Sequence, residues 1–252
     1  WDQRSRAFTP YRQTPDNYGA GYGENFDAFL RLLGPVEGKL VVELGCGNGE
    51  YTVFLARKEA RVLALDASPV ALENTRAMAA LNRVSDRVEA RVMDVMRLDL
   101  LPESPDLVIG RYVLHHLEPF DEFAAGLAKL FARLERPRAL FFENSAGNPL
   151  LRWARRHLAG RFGIPRFGDT REEPLSADEI AVLERHFRVT RHFPEFVFLE
   201  KLSVYVFRKE CGRNRALRRL FKGGDRRVHR HLPFLRKYSY DQILVLTKKE
   251  SP

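Results

Sequence analysis

Short apolar runs alternate with apolar residues at helical spacing along much of the chain, and the alternation begins at Lys39. Leu40–Leu44 reads as a first strand, Gly45–Gly49 as a glycine turn, and Tyr51–Arg57 as a helix with Tyr51, Phe54 and Leu55 inward. Arg61–Asp66 reads as a second strand, after which Ser68 and Pro69 mark a helix start, with the helix running to about Asn82. Val88–Met93, Leu107–Arg111 and Ala139–Glu143 read as further strands. The helix between Pro119 and Leu134 sets Phe120, Phe123, Leu127, Leu130 and Leu134 on one face. Strands and helices in this rhythm build a mostly parallel sheet covered on both faces, the α/β class.

The rhythm breaks after Glu143. Residues 144–173 are rich in Gly, Pro and Arg and read as a functional insertion. Ser176 with Glu179 forms a capping box for a helix carrying Ile180, Leu183 and Phe187, and a strand follows near Arg188–Phe193. Residues 195–236 are mostly basic and amphipathic, with Leu217, Leu220 and Phe221 at i, i+3 and i+4, before a last strand at Gln242–Thr247. Ahead of Lys39 lie Tyr11, Tyr18 and Tyr22 among Gly and polar residues, then a short amphipathic helix with Phe26, Phe29, Leu30 and Leu33. The expected organisation is therefore an N-terminal lid over residues 1–37, then one domain over 38–252 with insertions at 144–173 and 195–236. At 252 residues one core suffices.

Composition narrows the class. With 44% hydrophobic and 30% charged residues, 18 Phe and 8 Tyr, the chain can bury a sizeable core, which excludes disordered and collagen-like readings. No run approaches the ~20 apolar residues of a spanning helix, and Phe196–Phe207 is interrupted by Glu200 and Lys201. Two cysteines, Cys46 and Cys211, make neither a disulfide framework nor a metal quartet, so no metal is expected and a reducing, cytoplasmic setting is. The start at Trp1 shows no basic-then-apolar leader, so targeting is not readable there. The net charge of +9 is unevenly placed: Leu151 to Lys237 holds 22 Lys and Arg against 10 Asp and Glu, and the remainder holds 20 against 23. Arginine forks suit carboxylate or phosphate, so the segment fits an anionic substrate, an anionic membrane surface or nucleic acid.

The candidate chemistry gathers at strand ends. Gly45, Gly47 and Gly49 stand where the first strand turns into a helix, allowing the backbone to fold sharply and approach a ligand. Glu50 occupies the place where a dinucleotide fingerprint wants its third small residue, which weakens a nicotinamide or flavin reading. Asp66 ends the second strand 21 positions after Gly45, where an acid can hold both hydroxyls of a ribose, and Asp94 with Val95 follows the third strand. Cys46 within the turn reads as a packing residue rather than a nucleophile. His115 and His116 follow the fourth strand at the edge where open α/β sheets bind ligands, and a near-neutral imidazole suits deprotonation of an acceptor. Glu143 and Asn144, at the end of the fifth strand, are acceptor-contact candidates. With Tyr18, Tyr22, Trp153, Phe162, Phe167, Phe196, Phe198 and Tyr205, the insertions can enclose an apolar acceptor.

E-L-G-C-G-N-G at 43–49, L-D-A-S at 65–68, V-M-D-V at 92–95 and D-L-V-I-G-R-Y-V-L-H-H-L at 106–117 resemble the motifs of class I S-adenosylmethionine-dependent methyltransferases in order and spacing. The resemblance covers residues 38–143 and extends loosely beyond. It implies a Rossmann-like, doubly wound seven-stranded sheet with an antiparallel last strand, and helical insertions forming an acceptor lid. It also implies S-adenosylmethionine as cofactor, held by Glu43, Gly45, Cys46, Gly47 and Gly49 at its methionine part, Asp66 and Ala67 at the ribose, Asp94 and Val95 at the adenine, and Arg111 near the sulfonium. The family's Asn-Pro-Pro-Tyr or Asp-Pro-Pro-Tyr tetrad, which accompanies amine methylation of bases and glutamine, is missing after the fourth strand. A small apolar or amphiphilic acceptor methylated at oxygen is the expected substrate, with peripheral contact to an anionic membrane as a further expected partner surface. An RNA methyltransferase using the Arg-rich 151–237 segment, and a non-catalytic methyltransferase-like binding module, stand as alternatives.

Overall fold

Seven strands, β1 (Leu40–Leu44), β2 (Arg61–Asp66), β3 (Val88–Val92), β4 (Leu107–Arg111), β5 (Arg138–Asn144), β6 (Phe187–His192) and β7 (Asp241–Lys248), form one sheet in the order β3-β2-β1-β4-β5-β7-β6. β1 pairs in parallel with β2 and β4, β2 with β3, and β4 with β5; β7 runs antiparallel between β5 and β6. The order reverses beside β1, so the carboxyl ends of β1 and β4 flank a crevice where open α/β sheets take ligands. The structure, a computed structural model, describes residues 5–14, 23–161, 164, 173–207 and 215–249.

Eight helices accompany the sheet among the described residues: α1 (Gly23–Leu33), α2 (Glu50–Arg57), α3 (Pro69–Leu81), α4 (Phe120–Ala132), α5 (Pro149–His157), α6 (Ala177–His186), α7 (Leu199–Phe207) and α8 (Arg215–His231). Their starts follow from local chemistry. The Ser68 hydroxyl accepts from Ala71 N at 3.2 Å with Pro69 in the first turn, and Ser176 and Glu179 complete the reciprocal capping box of α6. One sheet face buries Val42, Leu44, Leu63, Leu65, Phe141, Leu244 and Leu246 against Phe123, Leu127 and Leu130 of α4 and Leu183 of α6. The other buries Val41, Ile109, Leu140, Phe142 and Ile243 against Phe26 and Phe29 of α1, Leu55 of α2 and Met78 of α3.

Two segments outside the alternating core take definite form. Part of 144–173 is helical: Asn148 caps α5 by accepting from Leu150 N and Leu151 N at 3.1 Å, and Pro149 occupies the first turn. Within the N-terminal segment, residues 5–14 lie as a strap along α2 and α3. Gln13 N donates to Asn82 Oδ1 at 2.8 Å, Asn82 Nδ2 donates to Tyr11 O at 3.0 Å, and Asn74 Nδ2 donates to Ser5 O at 2.7 Å.

Candidate active site

The turn after β1 is shaped by left-handed backbone. Gly45, Gly47 and Gly49 have φ of 64°, 55° and 79°. A Cβ on Gly49 would lie 2.7 Å from the Thr75 backbone of α3, and one on Gly45 would lie 2.8 Å from Val113 Cγ2 beyond β4. The turn is thus pressed between α3 and the segment following β4. At Gly47 the same position meets nothing within 4 Å, which leaves an open side along the backbone where a ligand can come close.

The acid after β2 organises this turn. Asp66 Oδ2 accepts from Gly47 N and Oδ1 from Ser68 N, both at 2.9 Å. Ala67 is exposed between Asp66 and the Ser68 cap. At the end of β3, exposed Asp94 accepts from Met96 N at 2.9 Å and so caps the 3-10 segment Val95–Leu100, with Val95 half-buried. Glycine turn, Asp66, Ala67, Asp94 and Val95 therefore line one sheet edge in the order that a nucleoside would span, β1 to β2 to β3. Cys46 is buried; its thiol faces the Thr75 hydroxyl at 3.7 Å, and burial pushes its pKa well up. It reaches that edge only through its backbone.

Under the turn lies a charged group in an apolar setting. Glu43 is buried and accepts from the Thr52 hydroxyl at 2.6 Å. Burial raises its pKa to about 7, opposed by the Thr52 hydrogen bond and the Arg111 charge. Arg111 ends β4 with its guanidinium 5.4 Å from the Phe26 ring centre and 5.5 Å from that of Tyr51. The Tyr51 hydroxyl is buried with no hydrogen-bond partner among the described residues. An orphan hydroxyl, an open glycine backbone and a carboxylate with its arginine suit the amino-acid end of S-adenosylmethionine.

The two histidines differ. His115 Nδ1 and Glu143 Oε2 are 2.6 Å apart, and Glu143 Oε1 accepts from Val113 N and Leu114 N at 2.7 Å each. With Oε1 taken by two backbone N–H groups, Oε2 is placed to accept from an Nδ1–H, the tautomer that turns Nε2 into the acceptor. The His116 ring tilts against that of His115 at 42°, ring centres 4.1 Å apart. Glu143, expected to contact an acceptor, is fully buried and engaged at both oxygens by His115, Val113 and Leu114. Asn144 is half-buried and lies opposite Asp241 in the β5–β7 register.

Trp153 is 53% exposed and tilts against His157 on the outer side of α5, whereas Leu151 and Ala154 face inward. Phe196 is buried and Phe198 half-buried, with ring centres 6.0 Å apart. Tyr18, Tyr22, Phe162, Phe167 and the Tyr205 side chain lie outside the described residues. Sequence reasoning missed Asp241, the first residue of β7. Asn25 Nδ2 donates to it at 3.3 Å, and burial raises its pKa to about 6 against the opposing charge of Lys201. The acid before Gln242-Ile243 was the available signal.

Residues 41–136 match the family model described as a methyltransferase domain. An uncharacterised methyltransferase of Emericella nidulans is 38% identical over 106 residues, 36% of this chain and 37% of that protein. The mitochondrial ubiquinone biosynthesis O-methyltransferase of Schizosaccharomyces pombe is 33% identical over 90 residues, 36% of this chain and 33% of that protein. The chain thus spans little more than a third of those proteins' lengths. In structure it resembles magnesium protoporphyrin IX methyltransferase from Synechocystis PCC 6803 with bound S-adenosylhomocysteine, with a TM-score of 0.58 at 18% identity over 98% of this chain and 94% of that one. Residues 41–136 thus match a methyltransferase domain in sequence, and that segment carries β1 to β4 of the sheet with the glycine turn and the strand-end acids.

Proposed function

We propose that the protein methylates a hydroxyl of a small apolar or amphiphilic acceptor, with His115 as the general base. S-adenosylmethionine supplies the methyl group on a sulfonium, which is already a good leaving group. The chain's task is then to align the acceptor oxygen and remove its proton. The single observation that carries the reading is the His115–Glu143 contact, pressed against the glycine turn through Val113 and Gly45. Glu143 holds the imidazole in the tautomer whose Nε2 accepts a proton, and it stabilises the imidazolium that results. The O-methyltransferase name of one relative and the missing Asn-Pro-Pro-Tyr tetrad support oxygen over nitrogen.

The test is methyl transfer from labelled S-adenosylmethionine to a panel of phenols, catechols and aliphatic alcohols, with an amine panel beside it. His115→Gln should lower turnover by about 10²–10⁴-fold while S-adenosylhomocysteine binds with unchanged affinity by calorimetry. A variant with full kcat across pH 6–9 overturns the base assignment, and transfer confined to the amine panel overturns the oxygen acceptor.

A further inference from the structure

We infer that the outward face of α8, with the turn that follows it, docks on an anionic lipid bilayer. The inner face of α8 is committed to the protein. Leu217, Phe221 and Val228 are half-buried, and Asp225 is buried, accepting from Phe198 N, Leu199 N and Glu200 N at the start of α7 at 3.3, 2.8 and 3.0 Å. The apolar spacing of Leu217, Leu220 and Phe221 noted in the sequence is not one continuous face. Those positions divide: Leu217 and Phe221 face inward, and Leu220 is 68% exposed.

At 100° per residue the exposed positions Arg219, Leu220, Arg226, Arg227, Arg230 and His231 fall within an arc of about 140°. The only acid of α8 is Asp225, which points the other way, so this arc presents positive charge throughout. Directly after it come exposed Leu232 and Phe234, the latter 66% exposed in the 3-10 segment Pro233–Tyr238. Beside the arc a notch of about 340 Å³ is lined by Pro194, Glu195, Arg226, His229 and Arg230. The single acid there, Glu195, already lies 3.4 Å from Lys222 Nζ. A notch of this size with three basic walls suits a lipid phosphate.

Arginines alone would suit any polyanion. The apolar side chains among them decide for a bilayer: Leu220, Leu232 and Phe234 stand in water where each could enter the headgroup region while the guanidinium groups stay at the phosphates. The placement is also useful to the acceptor reading, on which the docking itself does not depend. Pro233–Tyr238 runs into β7, whose first residue, Asp241, lies beside Asn144 at the end of β5. A bilayer bound by α8 therefore adjoins the edge where an amphiphilic acceptor is expected.

The experiment is flotation of the full chain with phosphatidylcholine vesicles containing about 30% phosphatidylserine, and with phosphatidylcholine alone. It needs neither acceptor nor cofactor, so it can fail while methyl transfer stands, and the reverse. Wild type should bind the anionic vesicles in about 50 mM salt and release in about 500 mM. Replacing Arg219, Arg226, Arg227 and Arg230 by Gln should weaken partitioning at least a hundredfold, at about fivefold per residue. Leu220→Ser with Phe234→Ser should weaken it about tenfold. Unchanged calorimetry with S-adenosylhomocysteine shows that each variant is folded. Absence of wild-type binding to the anionic vesicles overturns the inference, as does undiminished binding by the Gln variant. Wild-type-like partitioning of the Ser pair also overturns it, since the face would then be a site for soluble polyanions such as RNA.

Discussion

Glu43 shows how a buried carboxyl beside the glycine turn carries a stability cost. Its carboxyl titrates near 4.5 in the unfolded chain and about 7 in the fold, chiefly because burial penalises the charged form. The folded state therefore holds the proton more tightly, so its contribution favours folding at acid pH and is lost as pH rises from about 4.5 through about 7. Glu43→Gln keeps a partner for Thr52 and removes the titration. Between pH 5 and 8 the ligand-free wild type should lose about 2–3 kcal/mol relative to this variant, measured by urea unfolding at both pH values. Parallel pH profiles for the two proteins would mean that Glu43 stays ionised in the fold. The residue's type and place at the end of β1 were legible in the sequence; its burial was not, because that depends on Thr52, Tyr51 and Phe26 closing over it. His115 and Glu143 were likewise both candidates, but their pairing was hidden. They are 28 positions apart and meet only because β4 and β5 are parallel neighbours.

At the scale of elements, the readable parts were those with a strong local code. β1, β2 and β4 lie where the apolar runs placed them, between glycine or proline signals, and Ser68 and Ser176 cap as their side chains require. The helical insertion expected after β5 was given no bounds, because Arg-rich, Gly-flanked text resembles a loop, although Asn148-Pro149 is itself the start signal of α5. The start of α7 was less legible still, since its cap comes from another helix. Asp225 satisfies three N–H groups at that start from 25 to 27 positions away, which locks α7 and α8 together. Asp225→Ala should cost about 2–4 kcal/mol by leaving those groups without a partner in a buried setting. Hydrogen exchange checks this directly: amides of Phe198, Leu199 and Glu200 should lose protection while those of β1 and β4 keep theirs. Uniform loss throughout the sheet would show instead that the pair is part of the global folding unit.

Across the whole molecule, the glycine turn is held from three directions that the chain reaches only through long-range contacts. Val113 presses from beyond β4, Thr75 from α3, and the strap of residues 5–14 from the N-terminal side. Asn74 joins the last two, donating from one amide nitrogen to Ser5 O at 2.7 Å and to Asn48 Oδ1 in the turn at 2.9 Å. Tyr11 and Gln13 add hydrogen bonds to the side chain and the backbone carbonyl of Glu50, the first residue of α2. The strap meets the core through half-buried Phe8 and Tyr11 rather than through sheet pairing, so its removal should leave the sheet intact while freeing the turn to sample other backbone shapes. A ligand that needs the turn in one shape must then order it on binding, and each 1.4 kcal/mol of that ordering lowers affinity tenfold. Deleting residues 1–14 should therefore weaken S-adenosylhomocysteine binding by about ten- to a hundredfold, with near-ultraviolet circular dichroism of the remaining fold preserved. Asn74→Ala, which removes the bridge from Ser5 to Asn48 without shortening the chain, should reproduce part of that loss. Calorimetry that finds both variants binding like the wild type would make residues 5–14 a cover for α2 and α3 alone, and the turn rigid through Val113 and Thr75.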